Sequence, residues 1–149
     1  MKINVVELKL NKEYDLEIPE DIEYVYGVET ATPILCKLIG SGNVEYAAVL
    51  CLDSTNKVIN ISKVAMGSIE NVKVSLAQIM KTVLLSNSTQ FIIAHNHPSG
   101  VLEITNNDID MTKKIGSVAS LFDIKLLDSL VVNSENALSI RERAGEKHE

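Results

Sequence analysis

Phe91–Ala94 reads FIIA and runs without interruption into His95-Asn96-His97-Pro98-Ser99-Gly100. A short, wholly apolar segment of this kind is the signature of a strand buried on both faces. Pro98 and Gly100 then turn the chain towards a helix that starts near Asn106. In extended backbone, side chains at i and i+2 leave the same side of the strand, so His95 and His97 can converge on one point. Asp108, in the first turn of the following helix, can swing back towards them.

Upstream of this stretch, Ser75 is a helix cap for LAQIMKTVLL, in which Leu76, Ile79, Met80, Val83 and Leu84 form a helical apolar stripe. Before it, Tyr46–Leu52 (YAAVLCL) is a continuous apolar run closed by DSTNK, and Val58–Val64 (VINISKV) resumes in alternation, which predicts a hairpin. Earlier still, TPILCKLIGSG predicts a short helix near 30–40, with Pro33 suited to its first turn and a glycine stop. Downstream, a helix over about Asn106 to Phe122 buries Ile109, Ile115, Val118, Ala119 and Phe122, and Ile124–Val132 is a final strand. Strands interleaved with helices imply one sheet with helices packed against it.

The first residues read differently. Residues 1–26 hold seven acids and three lysines and account for −4 of the net −6. Ile3, Val5, Leu8 and Leu10 suggest one short strand, followed by a connection. The expected organisation is an acidic arm or strand over 1–29, packed on the domain or partly mobile, an α/β domain over 30–143, and a charged tail over 144–149.

Composition excludes several classes. The 149 residues fit one domain, and 23% charged with 46% hydrophobic residues argues against disorder. No apolar run approaches the ~18–20 residues of a membrane span, and the charged N-terminus does not resemble a signal peptide, so a cytoplasmic location without membrane partners is expected. The acidic balance disfavours direct nucleic-acid binding. Cys36 and Cys51 lie far apart among apolar residues and read as small buried side chains. No G-x-S-x-G elbow or Gly-rich phosphate loop is present. An amidohydrolase barrel would need roughly 250 residues.

The His95/His97/Asp108 spacing carries two readings. Two imidazoles and one carboxylate leave a fourth tetrahedral position open, the pattern of a catalytic zinc site. Alternatively, Thr105-Asn106-Asn107-Asp108 is a capping box and the histidines are polar residues at a strand end. Asp110 lies about 200° around the helix from Asp108 and should face elsewhere.

The run AHNHPSG followed by Thr105-x-x-Asp108 resembles the JAMM motif of the JAB/MPN metalloprotease superfamily: His-x-His, seven residues, Ser, two residues, Asp. HNHPSG, with LDSTN upstream and LLD downstream, is similar to the RadC branch, over about residues 30–143. The resemblance implies a single α/β domain with a mixed central β-sheet flanked by helices, one Zn2+ per chain held by His95, His97 and Asp108, and Glu45 as the upstream glutamate acting as general base. Thr105 stands in the serine position, where it would donate to a developing oxyanion. The implied activity is zinc-dependent hydrolysis of a peptide or isopeptide amide bond in a peptide or protein substrate. The alternative is a non-catalytic accessory module linked to DNA repair, and a homo-oligomer is compatible with either.

Three departures from the branch are visible. Thr105 replaces the serine, Ser129 stands where a histidine usually follows LLD, and residues 1–30 lack the paired-helix pattern on which a DNA-binding role would rest. Ser99 and Asn96 line the turn and are expected to shape it rather than react. The adjacency His95-Asn96-His97 spells HNH by coincidence; HNH nucleases take their name from dispersed residues.

Overall fold

The longest apolar runs become the middle of a sheet. In the computed structural model, which describes residues 1–18, 21–67 and 75–143, β1 (Glu45–Leu52) pairs antiparallel with both β2 (Val58–Gly67) and β3 (Gln90–Asn96). β3 pairs parallel with β4 (Lys125–Val132), which pairs antiparallel with the short β5 (Ala137–Ser139). The order is β2-β1-β3-β4-β5, a mixed five-stranded sheet. A parallel pair needs a crossover, and α3 (Asn106–Ser120) supplies it.

Helices cover both faces, which is why β1 and β3 read as unbroken apolar runs. On one face α1 (Val28–Leu35) and a π-helical turn (Cys36–Gly40) bring Leu35 and Ile39 against Leu50, Ile92 and Leu130. On the other, α2 (Leu76–Leu85) and α3 bring Ile79, Val83 and Ile115 against Val49, Phe91 and Ile93. Ser75 caps α2 by accepting the Gln78 N–H. The hairpin turn is tied by Asp53, whose Oδ1 accepts the N–H groups of Thr55 and Lys57 at 2.8 and 3.0 Å. Both cysteines are free and buried, and burial pushes both thiols up. No helix among the described residues is long and apolar enough to cross a membrane.

Four expectations need correction. Residues 1–18 form no strand; Ile3, Val5 and Leu8 are 77–98% exposed, because no described strand lies beside them to take up their backbone bonds. Of residues 1–18, Leu16 and Ile18 pack on the core. α1 starts at Val28, slightly before the expected 30–40 span: Thr30 Oγ1 accepts the Tyr26 and Gly27 N–H groups and sets the start earlier. Pro33 therefore sits in the second turn, where it has no N–H to give the Glu29 carbonyl. At the other end of the chain's helices, Phe122 is half exposed. α3 stops at Ser120, and Asp123, at φ 56°, lets Ile124 N bond Ala119 O, a left-handed helix stop that turns Phe122 outward. Leu84, expected in the α2 stripe, is 42% exposed at its edge.

β4 carries a feature absent from the sequence pattern. Phe91 pairs with Leu126 but Ile92 with Asp128, so Leu127 is an extra residue, a bulge. Arg141 Nη1 donates to the Leu126 and Leu127 carbonyls at 2.8 and 2.9 Å and satisfies them. Beyond the bulge Asp128 is buried, accepting from Ser139 Oγ and from Ser129 N, and burial raises its pKa despite those bonds.

Candidate metal centre

β3 delivers the two histidines and β1 the glutamate. Ala47 is opposite His95, and the same antiparallel register two residues further places Glu45 opposite His97. Residues 45, 47, 95 and 97 thus share one face. One ligand atom each from Glu45, His95 and His97 falls within 4.8 Å of the others. The two rings stand edge to face, 5.2 Å apart between centres. His95 is buried, whereas Glu45 and His97 are half-buried.

Asn96, between the histidines, points to the opposite face and is fully buried. Its Oδ1 accepts the Tyr46 N–H at 2.6 Å and its Nδ2 donates to the Gly42 and Val44 carbonyls at 3.3 and 3.0 Å. One side chain thereby fastens the start of β1, and Glu45 with it, to the end of β3. Asn96 was expected only to shape the turn; a buried amide has to bond something, but the sequence does not say what.

α3 brings the fourth group. Asp108 is buried in its first turn, with Oδ1 3.0 Å from His95 Nε2 and Oδ2 4.0 Å from His97 Nε2. Asp108 Oδ2 also accepts the Thr105 N–H at 2.9 Å, and Thr105 Oγ1 accepts the Asp108 N–H at 3.1 Å. The capping box is therefore present, and it aims Asp108 at the histidines; capping and the approach to the imidazoles coexist in one residue. Burial works to raise the Asp108 pKa, but the His95 and Thr105 hydrogen bonds together hold it below the ordinary carboxylate value.

His97 Nε2 is buried and has no hydrogen-bond partner. A buried nitrogen left this way costs about 1–3 kcal/mol. Its neighbours are an imidazole and two carboxylates, donors that suit a divalent cation of zinc type. The residues present fit such an ion.

The remaining residues lie around this centre. Thr105 is exposed at the helix start, and Ser99 is exposed and accepts the Val101 N–H. Asp110 is exposed and turned away, as its helical angle requires. Ser129 is buried on the α3 side and accepts from Thr112 Oγ1 at 2.9 Å, so the hydroxyl serves packing between α3 and β4. The Asp128–Ser139 pair was not foreseen; LLDS carries no local signal that its acid is buried.

Known proteins bear on this arrangement. The family model of the RadC-like JAB domain matches residues 26–146. A UPF0758 protein of Finegoldia magna is 34% identical over 113 residues, covering 76% of this chain and 51% of that protein. UPF0758 proteins of Acidithiobacillus ferrooxidans and Marinomonas sp. are 35% and 38% identical over 101 and 99 residues, covering 68% and 66% of this chain and 45% and 44% of theirs. The chain spans about half the length of these curated relatives. With 121 consecutive residues matched, including every residue of the His-x-His turn, β1 and the start of α3, the chain belongs to the RadC-like JAB domain family.

Proposed function

We propose that His95, His97 and Asp108 hold one zinc ion and that the centre hydrolyses a peptide or isopeptide amide bond. The observation that carries this reading is the buried, unpartnered Nε2 of His97, facing Asp108 across 4.0 Å and grouped with Glu45. Zinc in such a ligand set supplies Lewis acidity that brings the pKa of water down to about 7. Glu45, half-buried on the neighbouring strand, takes the proton of the attacking water and passes it to the leaving amine nitrogen. The Thr105 oxygen already accepts the Asp108 N–H, so its own hydroxyl proton is left to donate to the carbonyl oxygen as charge develops. Asn96 keeps Glu45 in place without touching substrate.

Metal content of the untagged protein, measured beside hydrolysis of fluorogenic peptides and isopeptide-linked conjugates, tests the proposal. Wild type and Glu45→Gln should each carry about one zinc per chain, and Asp108→Ala none; only wild type should cleave an amide. Loss of zinc from Glu45→Gln would move Glu45 into the ligand set. Zinc-loaded wild type that cleaves no member of either panel would sink the hydrolase reading and leave a metal-holding accessory module.

A further inference from the structure

α2 packs on β1 and β2, and α3 packs on β4, so the exit of β3 lies between the two helices. A slot opens there beside the metal centre. Ala47 and His95 stand across from each other at its base, with Ile93 next to them. Val64 and Ile79 close it on the β2 and α2 side, and Met111 closes it on the α3 side. The side chains lining it are apolar except for the His95 ring. Ile93 lies on a central strand yet is 6% exposed, and Ala47 is 4% exposed, whereas Val49 and Phe91 further along the same sheet face are fully covered. Solvent thus reaches the sheet beside His95 and no deeper.

The slot holds about 10 Å3. That is room for one group the size of a water molecule or a methyl. A water would need roughly two to four polar partners, and an apolar wall with one imidazole does not supply them. A methyl group suits it better.

α3 ties the slot to the centre. Asp108 and Met111 are three residues apart and share a helix face. The turn that aims Asp108 at the histidines therefore also sets the Met111 thioether beside His95. An acyl group held at the centre carries its side chain on the next carbon, within reach of a slot that shares the His95 wall. Of the two residues joined at a scissile amide, the acyl one has an α-side chain in peptides and isopeptides alike. The amine of an isopeptide is the unbranched end of a lysine.

We propose that this slot receives the side chain of the acyl residue and limits it to a methyl, with Ala47 and Met111 setting the limit. The inference rests on the zinc hydrolase reading and adds a substrate class to it, amides whose acyl residue is alanine. A larger side chain at position 47 fills the slot from the sheet. Met111, unbranched and deformable, is the wall that can be cut back.

N-acetyl hydroxamates of glycine, alanine and leucine test the slot by binding alone, because a hydroxamate chelates zinc and presents the acyl side chain uncleaved. Calorimetry on the zinc-loaded full chain should give the alanine compound an affinity roughly 10-fold above that of glycine, with leucine no better than glycine. Met111→Ala should raise the leucine affinity by roughly 10-fold or more. Ala47→Val should level alanine with glycine, and Met111→Ala carries the test alone should that variant fail to fold. In methyl NMR spectra, the alanine compound should shift the Ala47 and Met111 signals more than the glycine compound does. Affinities that ignore the side chain in wild type overturn the slot and leave the zinc reading standing. So does an alanine preference that Met111→Ala leaves unchanged. Zinc-loaded wild type that binds none of the three overturns the metal-centre reading and this inference with it.

Discussion

Asn96 Oδ1 accepts the backbone N–H of Tyr46 at 2.6 Å, joining the residue between the two histidines to the residue after Glu45. Asn96→Ala would strand that N–H together with the Gly42 and Val44 carbonyls at partly buried positions. At about 1–3 kcal/mol for each buried group left unpaired, partly relieved by relaxation, we expect a loss of about 2–4 kcal/mol in urea denaturation. We also expect zinc to remain bound while amide hydrolysis falls, because Glu45 moves and the histidines do not. Equal loss of zinc and activity would mean that Asn96 supports the whole β3 exit and not Glu45 in particular.

The orphaned nitrogen of His97 predicts an asymmetry between apo and loaded protein. If the centre holds zinc as proposed, the ion binds the folded form, and at a hundredfold excess over Kd it should add about 2.7 kcal/mol to wild type and raise Tm. In the chelated protein His97→Ala removes an unsatisfied group and should cost little or nothing. Zinc should raise its Tm far less. A chelated His97→Ala protein that is markedly less stable than chelated wild type would show that His97 has a partner without metal.

Thr105 caps α3, and the proposed mechanism gives it a second, separable role. As the cap of α3, its replacement by Ala should cost about 1 kcal/mol, and Thr105→Ser should recover most of it. As an oxyanion donor, its loss should lower kcat by about 100-fold or more, again with recovery in the serine variant. Stability lost with kcat unchanged in Thr105→Ala would confine the residue to capping.

Asp128 should set one pH dependence of stability. Burial raises its folded pKa above the ordinary value, so the folded state holds a proton that the unfolded state releases. Stability from this group is greatest below about pH 4 and declines as pH rises through the window between the unfolded and folded values. Asp128→Asn should flatten that decline in the difference between variant and wild type. An unchanged difference across pH 4–7 would show that the carboxyl is not perturbed.

What the residues disclosed depended on whether the signal was local. His95 and His97 were legible because a strand's period of two is rigid, and Ile79, Met80 and Val83 because a helix's period is. Glu45 had no signal of its own; it emerged only through resemblance, since its position depends on the β1–β3 register. β5 was invisible because Ala137–Ser139 is too short to show a period and exists only by pairing with β4. The bulge at Leu127 hid the faces of Asp128 and Ser129 in the same way. The arm failed in the opposite direction: Ile3, Val5, Leu8 and Leu10 have strand propensity, but a strand is a relation between two segments, and the described residues supply no partner.

Glu45 and the histidines come from the opposite ends of two antiparallel strands, so neither peptide segment contains the centre. Sliding β1 by one residue against β3 would turn Glu45 to the α1 side and offer Tyr46 or Val44 in its stead. The candidate metal centre is in that sense a matter of alignment, like a key whose cuts lie on two blades. Substitutions far along β1, remote from any ligand, could then silence the protein merely by letting the strand creep.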